Sequence, residues 1–146
     1  MTLSDILKAK GSTVYTIRPD ASLQEATEEL VRHNVGALVV CDRDLDAGER
    51  LLGIVTERDI TRVCAADRGP LSAIRVTEVM TARLLTGSPQ DSVEDTMGLM
   101  TSHRIRHVPV LAEGRLVGIV SIGDVVKNQH DRLAMENQFM KNYITS

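Results

Sequence analysis

Residues 51–60 read L-L-G-I-V-T-E-R-D-I, and residues 116–125 read L-V-G-I-V-S-I-G-D-V. Each is an apolar run closing in Gly-Ile-Val, then a hydroxyl residue (Thr56 or Ser121), then an aspartate three positions on (Asp59 or Asp124). The β-branched pairs Ile54-Val55 and Ile119-Val120 mark each run as a buried strand. The hydroxyl residue then stands at the N-cap of a helix, with the aspartate in its first turn. Two readings of this group are open. The pattern S/T-x-x-D is a variant of the capping box, which covers backbone donors at a helix start. A hydroxyl and a carboxylate one turn apart, beside free N–H groups, also suit a sugar diol and a phosphate.

Working outward from the two copies, the rest of the chain repeats as well. A slide of 70 residues matches Thr16 with Thr86, Pro19 with Pro89, Ser22 with Ser92, His33 with His103 and Val40 with Val110. Past the charge-dense stretch 42–50 the slide becomes 65, matching Gly53, Ile54, Val55 and Asp59 with Gly118, Ile119, Val120 and Asp124. The difference falls in an expected hairpin loop, where an insertion costs little. Each copy reads strand (14–17 or 84–86), helix from Ser22 or Ser92 to the histidine, two strands, then the helix opened by Thr56 or Ser121. The run 36–41, G-A-L-V-V-C, is apolar throughout and should be a central strand. Leu23, Ala26, Leu30 and Val31 should form the buried face of the first repeat helix. The expected fold is α/β (α+β): two β-α-β-β-α repeats packed about a pseudo-twofold axis, with matched clefts. The expected divisions are an N-terminal helical segment 1–13, repeat 1 at 14–66, a linker 67–76, repeat 2 at 77–130 and a C-terminal helical extension 131–146.

Composition narrows the function. The chain has 146 residues, enough for one compact unit burying roughly 70% of its unfolded surface. Tyr15, Phe139 and Tyr143 are its only aromatic residues, so it offers no stacking platform for single-stranded nucleic acid. A net charge of −3 likewise argues against nucleic acid or an anionic membrane as partner. No apolar run nears the ~20 residues of a membrane span, and the N-terminus lacks a secretory core, so a cytoplasmic protein is expected. Cys41 and Cys64 have no ligand-like spacing and read as two buried free thiols. His103 and His107 lack a third ligand, so no metal site is expected. His33 and His103 read as caps on the last helical turns.

The order P-x-x-S-[LV], then G-A-L-V-V or R-H-V-P-V, then L-x-G-I-V-[TS]-x-x-D resembles the cystathionine-β-synthase (CBS) domain, which occurs in tandem pairs. The resemblance covers roughly residues 14–127. The segments I-L-K-A-K-G and E-N-Q-F-M-K-N-Y-I at the two ends are similar to small stand-alone CBS-pair proteins. It implies an adenosine-containing ligand (AMP, ADP, ATP, sometimes NAD or S-adenosylmethionine) bound between the repeats, with no cofactor required. By resemblance Asp59 and Asp124 take ribose hydroxyls, while Thr56 and Ser121 take ribose or phosphate. Thr16 and Thr86 approach the base, and Arg106 and His107, ahead of Val108 and Pro109, reach phosphate. The first copy has Gly36-Ala37 where the second has Arg106-His107, and Gly123 replaces Arg58, so two unequal sites are expected.

No catalytic signature is present: no G-x-S-x-G, no phosphate-binding glycine loop and no paired Cys and His. The chain therefore reads as a nucleotide-sensing regulatory module acting on an unidentified protein. The alternatives are a structural dimerisation module and, third, an enzyme using a nucleotide as substrate. A homodimer is expected, with Val63, Met97, Met100 and Val126 on its interface and the stretch 133–144, including Met135, Phe139 and Ile144, bracing it.

Overall fold

The run Ala37-Leu38-Val39-Val40-Cys41 is buried along its whole length, no residue exceeding 9% exposure. It forms the core of β2 (Ala37–Asp44), the middle strand of a three-stranded sheet in the order β1-β2-β3. A strand covered on both faces needs apolar residues at successive positions rather than alternate ones, and this run has them. β1 (Thr16–Ile17) pairs with it in parallel, and β3 (Gly48–Thr56) antiparallel. This sheet comes from a computed structural model, which describes residues 1–44 and 48–145. The chain, expected as one compact unit, divides into two: Thr13–Leu85, and Met1–Ser12 together with the residues from Thr86 onward.

In the first unit, α2 (Leu23–His33) buries Leu23, Ala26 and Leu30. Ser22 caps it, its hydroxyl accepting from the Glu25 N–H at 3.1 Å. Val31, expected on the same face, is 76% exposed. It follows Leu30 by one residue, about 100° around the helix, which carries it past the edge of the buried stripe. α3 (Glu57–Ala65) buries Ile60 and Val63. Val63 therefore belongs to this unit's core and not to an interface. The linker folds into short 3₁₀ turns at Leu71–Ala73 and Val76–Glu78, and Val76 is fully buried. β2 and β3 run further into the charged stretch than expected, to Asp44 and from Gly48. Their register sets Asp42 opposite Arg50, an acidic and a basic residue paired across the ladder. The tip of that expected loop, 45–47, lies outside the described residues.

The second unit has α4 (Val93–His103), β4 (His107–Ala112), β5 (Arg115–Ser121) and α5 (Ile122–Thr145). α4 buries Val93, Thr96 and Met100, each 70 positions from its counterpart in α2, so Met100 too is core rather than interface. Met97 is partly buried against the same cluster. The antiparallel pairs share one irregularity, at Val40/Cys41 and at Val110/Leu111, which skips Leu52 in one repeat and Val117 in the other. Helix ends match as well: Asn34 and Arg104 both close their helices in the left-handed conformation, at φ 52° and 54°.

The expected strand 84–86 does not form. Only Gly87 bridges to Val110, where Ile17 pairs with Val40 in the first unit. Ile17 has a side chain to bury and Gly87 has none. A Cβ on Gly87 would lie 2.8 Å from Leu3 Cδ1, so Leu3 occupies that space. Leu3 belongs to α1 (Leu3–Lys10), which folds with the second unit and buries Leu3 and Ile6 in its core. The Leu3 N–H donates to the Asp91 carbonyl and the Val93 N–H to the Met1 carbonyl. The first unit shows the same pair of bonds with the segment that follows its repeat, Val76 N–H to Ala21 and Leu23 N–H to Ile74. Each repeat thus takes as its lid the segment that precedes the other repeat.

α5 runs unbroken through the expected extension. Beyond its first turns it is exposed, with Leu133, Met135, Phe139, Met140 and Tyr143 all at 55–75% and Val126 at 57%. The side chain of Ile144 lies outside the described residues. Among the described residues no helix is long and apolar enough to cross a membrane.

Leu3→Ala should cost about 2–5 kcal/mol, because it empties a fully buried site. Val31→Ala should stay within about 0.5 kcal/mol. Urea denaturation of the two variants checks the contrast; equal costs would mean that α1 is not part of the second unit's core.

Candidate functional site

The strand-to-helix junctions place the motif residues. β3 ends at Thr56, opposite Ala37, and the Glu57 N–H donates to the Gly36 carbonyl at 3.0 Å. In the second unit Ser121 lies opposite His107, and the Ile122 N–H donates to the Arg106 carbonyl at 2.8 Å. The turn from strand to helix is thereby pinned to the residue ahead of the neighbouring strand. Arg106 and His107 consequently share one sheet end with Ser121 and Asp124.

Both motif pairs cap their helices. The Thr56 N–H and hydroxyl donate to Asp59 Oδ2 at 2.9 and 3.1 Å, and the Asp59 N–H donates back to Thr56 Oγ1 at 3.3 Å. The Ser121 N–H donates to Asp124 Oδ2 at 2.8 Å, and the Asp124 N–H to Ser121 Oγ at 3.1 Å. The hydrogen bonds of the capping reading are therefore present in both copies. Each cap uses Oδ2 alone; among the described residues no hydrogen bond falls on Oδ1 of either aspartate. Capping and ligand contact do not compete for the same atom.

The two carboxylates differ in one further contact. Lys10, the last residue of α1, donates from Nζ to Asp124 Oδ2 at 2.6 Å and to the Ile119 carbonyl at 2.9 Å. Burial pushes the Asp124 carboxyl up, but the hydrogen bonds from Lys10 and the Ser121 backbone together outweigh it, and the group sits below its ordinary value. Asp59 has no cationic partner among the described residues. At the equivalent sheet edge of the first unit, Ile54 instead exchanges backbone hydrogen bonds with Thr81. Lys10 escaped the sequence reading because its partner is 114 residues away. One signal was there: the apolar spacing Leu3, Ile6, Leu7 recurs at Val76, Val79, Met80, which sets Lys10 in register with Arg83.

The remaining candidates are spread around these junctions. Thr16 is exposed on β1 opposite Val39, with β2 lying between it and Thr56. Thr86 is exposed beside the Gly87 bridge, Arg106 is exposed, His107 is half-buried, and Pro109 is buried in β4 opposite Ile119. A cleft of about 750 Å³ in the first unit includes Thr16 with Arg18, Asp20, Glu25, Glu29 and Asp42, but neither Thr56 nor Asp59. His103 does cap its helix, with Nδ1 3.1 Å from the Leu99 carbonyl. His33 does not; its Nε2 meets Glu29 at 3.0 Å and its ring stacks on Tyr15. Cys41 is buried as expected, whereas Cys64 is exposed, on the outer side of α3. No cluster of three or more His, Cys, Asp or Glu residues able to hold a metal occurs among the described residues.

Residues 3–66 and 76–131 both match the family model of the CBS domain. The chain belongs to the CBS domain family. The mitochondrial CBS domain-containing protein CBSX3 of Arabidopsis thaliana is 38% identical over 134 residues, a match spanning 86% of this chain and 63% of the plant protein. Among solved structures, the CBS-domain containing protein ATU1752 from Agrobacterium tumefaciens is 40% identical with a TM-score of 0.81, covering 88% of this chain and 99% of that one. The CBS domain pair of protein MJ0100, solved in complex with 5′-methylthioadenosine and S-adenosyl-L-methionine, is 26% identical with a TM-score of 0.77, covering 90% of this chain and 98% of that one. The present CBS pair carries both motif aspartates in the same capped geometry, distinguished by Lys10.

A carboxyl with a lowered pKa contributes stability above its ordinary value of 3.8 and loses it as pH falls through the folded-state value. Lys10→Met removes the partner and leaves the burial, so the Asp124 carboxyl should titrate at higher pH and acid unfolding should begin earlier. A ¹³C carboxyl titration of Asp124 in both proteins checks this; identical curves would mean that the ion pair is not formed in solution.

Proposed function

We propose that this CBS pair is a regulatory module that binds an adenosine-containing small molecule and passes its occupancy to a partner protein. The observation that carries the reading is the spare Oδ1 on each motif aspartate. The cap holds the carboxylate in place through Oδ2, and the second oxygen is left as an acceptor for a ribose hydroxyl. A carboxylate already fixed by its helix loses little freedom on binding. The ligands bound by the MJ0100 pair support the class, since both contain adenosine. Within it we propose AMP, ADP, ATP or NAD, with ribose on Asp59 or Asp124 and the adenine near Thr16 or Thr86. The phosphate lies near Arg106 and His107, helped by Thr56 or Ser121. The module binds its ligand without turning it over, and it acts as a homodimer, in which the apolar stripe of α5 would find cover.

The competing reading is a dimerisation module whose motif aspartates only cap helices, and the complete hydrogen-bonded caps favour it. Melting curves separate the two. A ligand at one hundred times its dissociation constant adds ~2.7 kcal/mol, which for a chain of this size raises the melting temperature by roughly 5–10 °C. Asp59→Ala or Asp124→Ala should abolish that response at the site it disables, and should also lower the melting point of the free protein through the lost cap, worth ~1 kcal/mol. If AMP, ATP, NAD and adenosine all leave the curve unmoved at saturating concentration, the ligand reading fails and the dimerisation module replaces it.

A further inference from the structure

Lys10 belongs in sequence to the first stretch that matches the CBS domain, residues 3–66, yet its ammonium is fixed at the motif of the second. Two oxygens hold it, Asp124 Oδ2 and the Ile119 carbonyl, and its side chain is 31% exposed against 22% for Asp124. An ion pair this open to solvent contributes little to stability. Its effect is on the local field. The charges standing around the two motifs have opposite balance. With each motif aspartate counted, Asp59 together with Glu57 and Arg58 carries one net negative charge. Beside Asp124 are Lys10 and Arg106, one net positive charge, because Ile122 and Gly123 replace Glu57 and Arg58 while Arg106 replaces Gly36. Glu57 leans over the position that Arg106 takes in the other repeat: its Oε1 is 2.9 Å from where a Cβ on Gly36 would be. Arg83, in register with Lys10, is exposed and makes no hydrogen bond or ion pair among the described residues.

We infer that Lys10 is a specificity-determining residue: it cancels the Asp124 charge and makes the second repeat the site for phosphorylated adenosine ligands, while the Asp59 site takes uncharged or cationic ones. The inference rests on the adenosine reading above and assigns a ligand charge to each motif. Lys10 leaves Asp124 Oδ1 open, so the ribose contact survives beside the ammonium. A cation held in place by two protein oxygens needs no further ordering when an anion arrives. The net negative charge of the Asp59 motif repels a phosphate and carries no such penalty for a neutral nucleoside.

Calorimetric titration of AMP and of adenosine tests this in a protein carrying Asp59→Asn, which disables the first site while keeping an oxygen for its cap. Adding Lys10→Met should weaken AMP by about tenfold or more and leave adenosine within about twofold. Lys10→Arg should restore AMP binding, since it keeps the charge; a purely structural tether would be disturbed by both substitutions and would lower both ligands together. If the Asp59→Asn protein melts early, the same ratios are read in the wild-type background as AMP affinity against adenosine affinity. Parallel losses of AMP and adenosine overturn the inference, as does tighter AMP binding in Lys10→Met, which would make the ammonium a plug. Absence of binding by either ligand to the wild-type protein is a different result: it removes the adenosine reading itself.

Discussion

At two points in this chain a strand stops and a helix starts with no connecting loop, and the helix opens with N–H groups that no preceding turn can accept. The hydroxyl and aspartate of each motif cover those donors, and the cap then sets everything nearby. It fixes the direction of α3 and α5 as they leave the sheet. It draws the residue ahead of the neighbouring strand, Gly36 or Arg106, into a hydrogen bond with the first helical N–H. It also orients the carboxylate so that one oxygen faces the backbone and the other is left over. The structural role and the proposed ligand contact therefore fall on different oxygens of one side chain.

Much of this architecture could be read from residue order, because it depends on local rules applied twice. An apolar run without alternation placed β2 in the middle of its sheet, and Ser22 and Ser92 marked helix starts through short-range hydrogen bonds. The family resemblance then named the residues around each junction. What escaped the reading depends on contacts distant in sequence. Gly87 fails to nucleate a strand because Leu3 fills the space its side chain would occupy. Met100 and Val63 are as apolar as any interface residue, and only the packing of α4 and α3 shows that they are already buried. Val31 was misplaced for a local reason, since one residue's rotation moves a side chain from the stripe to solvent.

The two halves have kept their hydrogen-bonded frame and changed their charges. Helix caps, strand irregularities and left-handed helix ends recur position for position. Some of the residues that differ, Glu57 and Ile122, Arg58 and Gly123, Gly36 and Arg106, lie around the motif aspartates, and others lie in the two cores, where Leu23, Leu30 and Leu38 correspond to Val93, Met100 and Val108. The core exchanges swap one apolar side chain for another and keep the backbone frame, whereas the exchanges around the motifs change charge.

The exchange of leading segments also bears on how the chain matures on the ribosome. The unit Thr13–Leu85 is continuous in sequence and can close as soon as its last residue emerges. The other is split, and α1 is made first although its partners come last. At roughly 5–20 residues per second, Leu3, Ile6 and Leu7 wait several seconds, apolar and uncovered, until β5 and α5 are synthesised. For that interval the newest part of the chain depends on its oldest. Until then α1 has an apolar face whose packing partners are not yet made.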